Sequence, residues 1–196
     1  MSIAITEDHR TLARTASDFL LKNGARGAAR DLLEARTEQL PAFWGDVGEL
    51  GWLGLHISEE HGGSGFGLPE LVIVVEELGR AVAPGPFVPT VTASAVIAAA
   101  APPEIRARLL PGLAEGTSVG AVALAGSVEV RRGAAYGSAG AVLSGALADV
   151  LLVPVGDDVV IVDRSNGGVT VEVPTNLDPT RRSARVTLDG APVEVI

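Results

Sequence analysis

The spacing of apolar residues predicts helices over the first 118 positions of the chain. Thr6 precedes a stripe formed by Leu12, Ala16 and Phe19-Leu20 at intervals of three and four, which is typical of a capped amphipathic helix. The clearest helix opens at Pro69 and carries its apolar residues on one face, with charged residues mostly off that face. Further helices are predicted over residues 28–36, from Pro41 to about 50, over 91–101 and over 104–114.

The pattern changes near residue 119 to short apolar runs and to alternation with a period of two. These runs predict strands at residues 119–124, 150–155, 159–162, 169–173 and 184–188. Gly156-Asp157-Asp158 and Asn166-Gly167-Gly168 lie between consecutive runs and predict hairpin turns. A block of helices followed by a block of strands indicates an α+β fold. We expect an all-α helical bundle domain at 1–118 and a small, mainly antiparallel, β-barrel-like domain at 119–196.

Composition narrows the classes of function. The 196-residue chain has a formal net charge of −9, so nucleic acid is not expected as a partner. It contains no cysteine, which removes disulfides and thiol chemistry. No basic stretch leads into an apolar one at the N-terminus, so we expect no signal peptide. The apolar run at 91–101 is too short to span a membrane. These features predict a cytoplasmic protein.

The glycine-rich segment from His61 to Gly67 resembles a phosphate-binding loop only at first sight. A dinucleotide fingerprint needs G-x-G-x-x-G, but Leu68 and Glu70 occupy the positions of the third glycine in the two possible registers. The Gly-Lys-Ser/Thr of a Walker loop is also absent from the segment. We therefore interpret it as a loop that turns between two helices.

Few other residues suggest chemistry by themselves. The three histidines have no metal-ligand spacing, so no metal site is predicted; His56 and His61 border the glycine-rich loop and either face a ligand or are solvated. Arg131-Arg132 and Arg181-Arg182 either bind phosphate or lie on turns. The pattern of residues alone nominates no catalytic residue.

Several motifs, in the same order along the chain, resemble the acyl-CoA dehydrogenase family. They are Leu50-Gly51-Trp52-Leu53-Gly54-Leu55, Glu59-Glu60-His61-Gly62-Gly63-Ser64-Gly65, Val75-Glu76-Glu77-Leu78-Gly79-Arg80, Ala83-Pro84-Gly85-Pro86-Phe87, Arg108-Leu109-Leu110-Pro111-Gly112-Leu113, and Leu177-Asp178-Pro179-Thr180-Arg181-Arg182 with Val186-Thr187-Leu188-Asp189-Gly190. Each motif alone is weak, but together they cover nearly the whole chain.

The resemblance implies a function that the residue pattern does not. The family dehydrogenates the α,β bond of an acyl-CoA thioester, with a Glu base, an FAD cofactor and an electron-transfer flavoprotein or similar acceptor. Its C-terminal helical domain, which supplies the Glu and the oligomer core, is expected to be absent from this chain. The chain is then either part of a longer one or a natural half that forms a homo- or hetero-oligomer. No catalytic residue is assigned to it.

The resemblance also assigns candidate binding residues. It places the acyl pocket at Pro86, Phe87 and Thr90. It places the flavin face at Leu124, Ala125, Ser127, Leu143 and Ser144.

The flavin-facing motifs depart from the family pattern. Where the family has Thr-Glu in its first strand, this chain has Ala125-Gly126, and the family's Trp-Ile-Thr-Asn-Gly is replaced by residues 141–145, beginning with Ala141. We therefore expect weak or absent FAD binding by this chain alone. The degraded motif resembles the non-catalytic half of paired family members, some of which act on CoA thioesters of sterol side chains. The alternative is a structural or partner module without flavin or chemistry.

Overall fold

The helices precede the strands, as the change in period predicts. The computed structural model describes residues 5–196, so the first four positions of the predicted helical domain lie outside it. The helices are α1 (Glu7–Lys22), α2 (Ala25–Glu34), α3 (Trp44–Glu49), α4 (Leu68–Arg80), α5 (Phe87–Ala100) and α6 (Pro103–Glu115), with a short 3₁₀ helix at Glu59–His61. The strands are β1 (Gly120–Val122), β2 (Ser127–Arg131), β3 (Ala134–Leu143), β4 (Val150–Val155), β5 (Asp158–Asp163), β6 (Val169–Glu172), β7 (Ser183–Pro192) and β8 (Glu194–Val195).

Three helix boundaries differ from the prediction for local reasons. Gly24 adopts a left-handed conformation with φ of 63°, which turns the chain at once into α2, so that helix begins before residue 28. The third helix begins at Trp44 because Pro41 lies in the preceding turn, where its carbonyl accepts from the N–H of Trp44. The fifth begins at Phe87, since Pro89 falls in the first turn, where a helix tolerates proline.

The strands form two four-stranded sheets, which replace the barrel-like arrangement expected from the sequence. The first sheet has the order β1-β4-β5-β8 and the second β2-β3-β7-β6. Every pairing is antiparallel except that of β1 with β4. The sequence pattern did not predict β2, β8 or most of β3. Alanine, glycine and serine dominate β3, and these residues do not favour strands by themselves.

One of the two predicted hairpins is wrong. Gly156-Asp157 joins β4 to β5, which pair with each other as expected. The turn at 166–168 instead carries the chain from β5 in the first sheet to β6 in the second. The N–H of Asp189 on β7 donates to the carbonyl of Gly168, so this turn docks against the second sheet.

The core is layered, with the first sheet between the second sheet and the helices. Leu151 and Val153 of β4 pack toward the second sheet, against residues such as Val142 and Val186. The alternate residue Leu152 packs with Ile97 and other residues of α5 and α6. Burial on both faces explains why β4 is a continuous apolar run. A separate cluster around Trp44, Trp52, Leu53 and Val74 fills the space between the other helices.

Candidate functional site

The predicted flavin residues lie where the chain crosses from one sheet to the other. Residues 123–126 connect β1 to β2, and Leu124 is 86% exposed although it is apolar. Ala125 and Ser127 are also exposed. The carbonyl of Ala125 lies directly beside Gly140 of β3, and Leu143, which is partly exposed, ends that strand. The fold therefore places Leu124, Ala125 and Ser127 together at the crossing, next to the β3 strand that Leu143 ends.

The backbone of this crossing offers hydrogen-bond donors. Within the described residues, the N–H groups of Leu124, Ala125 and Gly126 donate to no protein acceptor, whereas Ala123 donates to Leu152 on β4. Backbone N–H groups next to apolar side chains suit the polar edge and ring face of a flavin. The side chain of Ala125 adds no hydroxyl. The crossing thus fits a flavin in its backbone and apolar surface and lacks the side-chain hydrogen bond.

Ser144 has a different environment from the other four candidates. It is 2% exposed and adopts a left-handed conformation with φ of 54°. Its N–H donates to the carbonyl of Arg182 at 2.8 Å, and its hydroxyl donates to Oε1 of Glu38 at 3.4 Å. Its side chain therefore contacts the loop between α2 and α3.

The three candidate acyl-pocket residues begin helix α5 and are buried. Phe87 is part of the core between the helices, and Pro86 is also buried. Thr90 has no exposed surface, and its hydroxyl has no hydrogen-bond partner among the described residues. A fully buried hydroxyl without a partner is uncommon, because desolvation costs about 1–3 kcal/mol.

A histidine and a serine lie beside Thr90. The sequence pattern does not indicate that these two residues are close to each other. The ring Nε2 of His56 is 3.0 Å from the hydroxyl of Ser94, which follows Thr90 by one helical turn and is fully buried. Burial lowers the pKa of His56, against the opposing effect of the backbone at Val91. Thr90 and Ser94, which lie four positions apart and so share one face of α5, were the signal that could have indicated this polar cluster.

The glycine-rich loop is structural, as predicted. Its consecutive amides donate inward: Ser64 to the carbonyl of Gly54, Gly65 to that of Ile57 and Phe66 to that of Leu55. A phosphate cradle needs such N–H groups to point toward the ligand. The loop cannot offer these three amides to a phosphate without breaking its own hydrogen bonds.

Arg181 and Arg182 lie between the helical and β parts of the chain and contact backbone carbonyls. Arg182 is 9% exposed and donates to the carbonyls of Ala35, Arg36 and Pro179. Arg181 donates to the carbonyl of Ala83 at 2.8 Å. These contacts favour the structural interpretation of the pair over phosphate binding.

Neither a metal-binding cluster nor a membrane-spanning helix is found within residues 5–196. No group of three or more histidine and carboxylate side chains is placed to hold a metal ion. No helix in this part of the chain is both long and apolar enough to cross a membrane.

The structure is a helical bundle followed by a pair of stacked sheets. Candidate flavin residues are exposed at the point where the chain passes from one sheet to the other. Residues 6–117 match the sequence profile of the acyl-CoA dehydrogenase N-terminal domain. The chain belongs to the acyl-CoA dehydrogenase family.

Curated relatives agree with this assignment. The acyl-CoA dehydrogenase FadE34 of Mycobacterium tuberculosis is 32% identical over 206 aligned residues, which cover 99% of this chain and 28% of the relative. The acyl-CoA dehydrogenase IpdE2 of the same organism is 29% identical over 181 residues, which cover 92% of this chain and 51% of the relative. The chain therefore spans between about a quarter and a half of these relatives.

Solved structures show that the same fold continues through the strands. The ChsE4-ChsE5 complex from Mycobacterium tuberculosis matches 99% of this chain with a TM-score of 0.88 at 24% identity, and 57% of that chain is covered. The Tcur3481-Tcur3483 steroid ACAD matches 98% with a TM-score of 0.85, also at 24% identity and 57% coverage. At this identity the likeness establishes the fold.

Proposed function

We propose that this chain forms part of a flavin-dependent acyl-CoA dehydrogenase, in which it contributes walls of the acyl pocket and one side of the flavin site. In the proposed enzyme, Pro86, Phe87 and Thr90 contact the acyl chain. Residues of the sheet crossing and the end of β3 contact the flavin. The catalytic base is supplied from outside residues 5–196, because the resemblance assigns it to the C-terminal helical domain.

The exposed sheet crossing is the observation that carries this proposal. Exposing most of a leucine side chain has no stabilising effect by itself, since burial of apolar surface drives folding. Leu124 nevertheless stands open beside Ala125 and near the β3 end that carries Leu143. Apolar surface next to free backbone donors suits a flat, partly polar ring system such as a flavin.

The flavin would be held mainly by the backbone of residues 124–126 and by the side chains of Leu124 and Leu143. When bound, FAD supplies the chemistry of hydride acceptance from the β-carbon of the substrate. The contribution of this chain is to orient the ring and to exclude water from one side. The hydroxyl of Ser127 is the side-chain donor that remains at the crossing.

The proposed substrate is the CoA thioester of a sterol side chain, and the proposed assembly is a hetero-oligomer. The similar structures include one described as a steroid ACAD and one described as a complex of two named components, which supports both proposals. An electron-transfer flavoprotein or a similar acceptor would reoxidise the flavin, as in the family generally. We place the enzyme in the cytoplasm.

A second candidate is a partner module that keeps the fold without flavin or chemistry. Two observations favour it. Ala125 has no hydroxyl at the crossing, and the hydroxyl of Ser144 is directed to Glu38 of the helical part.

Flavin content distinguishes the two candidates. The chain would be purified both alone and co-expressed with a candidate partner chain, and the visible absorbance of bound flavin would be compared. Yellow co-purified material whose colour is lost when the crossing is altered by Leu124→Asp supports the enzyme. Colourless material from both preparations, with the partner bound, supports the module.

A further inference from the structure

Glu38 links the helical part of the chain to the end of β3. It lies in the loop between α2 and α3, and its Oε1 accepts from two groups of the β part. These are the hydroxyl of Ser144 at 3.4 Å and the backbone N–H of Arg182 at 3.3 Å. The two groups are themselves joined, because the N–H of Ser144 donates to the carbonyl of Arg182. One carboxylate oxygen therefore fixes two neighbouring backbone segments.

The side chain of Arg182 also binds the same loop. The guanidinium of Arg182 donates to the carbonyls of Ala35 and Arg36, which precede Glu38 in the loop. All the donors in these contacts come from Ser144 and Arg182, and all the acceptors come from the loop. We call this set of contacts, formed by the loop 35–38 with Ser144 and Arg182, the interdomain clasp.

The second oxygen of Glu38 has no such support. Its Oε2 is buried and accepts no hydrogen bond among the described residues. Burial is the largest influence on Glu38 and raises its pKa, while the hydrogen bonds from Arg182 and Ser144 and the charge of Arg182 act in the opposite direction. Arg36, on the same loop, is the other charged group that lines the adjacent cleft of about 480 Å³.

We propose that Glu38 is a proton-dependent positioning residue for the turn at residues 144–147, the Ser144 turn. Through this turn it positions the preceding end of β3, where Leu143 of the predicted flavin face lies. The hydrogen bonds of Glu38 Oε1 with Ser144 and Arg182 support this positioning role. Its extension to FAD rests on the proposed function. Glu38 does not contact the flavin in this proposal; it acts through the turn.

The direction of the pH dependence follows from burial. A buried carboxylate without full hydrogen bonding is disfavoured as an anion, so the folded state holds the proton more tightly than the unfolded state. The stabilisation is therefore complete below the ordinary Glu pKa and is lost as pH rises through the raised pKa. Glu38→Gln keeps the acceptor oxygen without the charge and should hold the clasp in its low-pH form at any pH.

The direct test is an NMR titration of the 196-residue chain between about pH 4 and pH 8, a range that brackets a raised Glu pKa. We expect the Glu38 carboxyl and the amides of Ser144 and Arg182 to shift with one common midpoint. That midpoint should lie above the ordinary Glu pKa. Glu34 is an exposed glutamate at the end of α2. Glu38→Gln should remove the step at both amides, and the matched control Glu34→Gln should leave it.

A second variant tests the hydrogen bond itself. Ser144→Ala removes a donor that lowers the pKa of Glu38, so the midpoint of Glu38 should rise further. An unchanged or lower midpoint, or an amide step that survives in Glu38→Gln, overturns the proposal about the turn.

FAD titration separates this inference from the proposed function. Glu38→Gln should differ from the native chain in FAD affinity by about 2- to 5-fold at pH 8 and equal it at pH 4.5, a difference of less than about 1 kcal/mol. Equal affinities at both pH values overturn the link to the flavin face. If neither protein binds FAD even with the partner that completes the flavin site, the proposed function fails for this chain, while the NMR titration still decides the role of Glu38 at the turn.

Discussion

The guanidinium of Arg182 donates a hydrogen bond of 2.8 Å to the backbone carbonyl of Arg36, just beyond the C-terminal end of α2. A cation at this end of a helix interacts favourably with the helix dipole and satisfies carbonyls that the helix leaves free. The bond spans 146 positions of the sequence. It therefore holds together two parts of the chain that fold from separate segments.

We predict that Arg182→Ala lowers the free energy of unfolding by about 2–4 kcal/mol, because it removes charged hydrogen bonds to three backbone carbonyls. Urea unfolding followed by circular dichroism would measure this. Arg181→Ala is the matched control. Arg181 donates to one carbonyl, that of Ala83, so its loss should be about 1 kcal/mol. Equal losses for the two variants would contradict the special role of Arg182.

Contacts between residues far apart in the sequence explain what the sequence could and could not predict. The helices, strand β4 and the Gly156-Asp157 hairpin follow from local patterns, and the structure has them nearly where expected. The sequence of the turn at 166–168 suits a hairpin as well as it suits a connection between two sheets. Only the packing of β6 beside β7 shows that it connects two sheets. Local turn chemistry does not specify which strands pair.

Gly63 tests the structural interpretation of the glycine-rich loop. A Cβ at this position would lie 2.1 Å from the carbonyl oxygen of Ile57 and 2.6 Å from that of Gly54. We expect Gly63→Ala to destabilise the chain by about 1–3 kcal/mol, since backbone must move to accept the methyl group. The control is Gly27→Ala in α2, where a Cβ meets nothing within 4 Å. Alanine there should stabilise by about 0.5–1 kcal/mol. A Gly63→Ala variant with native stability would refute this interpretation.

The pairing of His9 with Glu70 should make stability depend on pH. Nε2 of His9 is 3.0 Å from Oε1 of Glu70, and this contact is the main reason that the pKa of Glu70 is lowered. Because the folded pKa is below the unfolded one, the stabilisation is present above the ordinary Glu pKa and disappears as pH falls through the lowered value. Glu70→Gln should therefore lower the thermal midpoint by about 1–4 °C at neutral pH.

The difference from the native chain should vanish in thermal scans below about pH 4, where the native carboxylate is increasingly protonated. Glu59→Gln, an exposed glutamate of the 3₁₀ helix, serves as the control and should show no such convergence. A native-minus-variant difference that stays constant down to acid pH would rule out the Glu70 carboxylate as its source.

An activity assay tests whether this chain can catalyse the reaction by itself. We predict that the 196-residue chain alone does not oxidise acyl-CoA, because the family's base is assigned outside it. Loss of a positioned base typically lowers a rate by about 10²- to 10⁴-fold even when all else remains. Dye reduction with short, medium and sterol side-chain CoA thioesters would be measured against a complete family enzyme. Measurable turnover by the chain alone would refute the prediction.

The candidate flavin site was predictable only through family resemblance, and only in part. Leu124, Ala125, Ser127 and Leu143 are all exposed, although composition and periodicity gave no chemistry to any of them. Glu38 was not predicted at all. Its significance depends on Ser144 and Arg182, which lie more than a hundred positions away in the sequence.

The last prediction concerns the affinity for FAD. We expect the chain alone to bind FAD weakly, because Ala125 offers no hydroxyl and Ala141 replaces an aromatic ring of the family pattern. A hydrogen bond contributes about 1 kcal/mol and an aromatic contact about 0.5–1.5 kcal/mol, which together amount to one to two powers of ten in affinity. Calorimetry that gives sub-micromolar binding by the native chain would show that these losses do not matter.

Ala125→Thr should recover part of this affinity, by about fivefold if the hydroxyl forms one hydrogen bond. Ala125→Val is the matched control, since valine has the shape of threonine without the hydroxyl and adds the same bulk at an exposed position. If threonine and valine behave alike, the crossing does not bind the flavin edge through this side chain. If threonine improves binding only when the partner or the C-terminal domain is present, the missing protein surface limits binding more than the altered strand does.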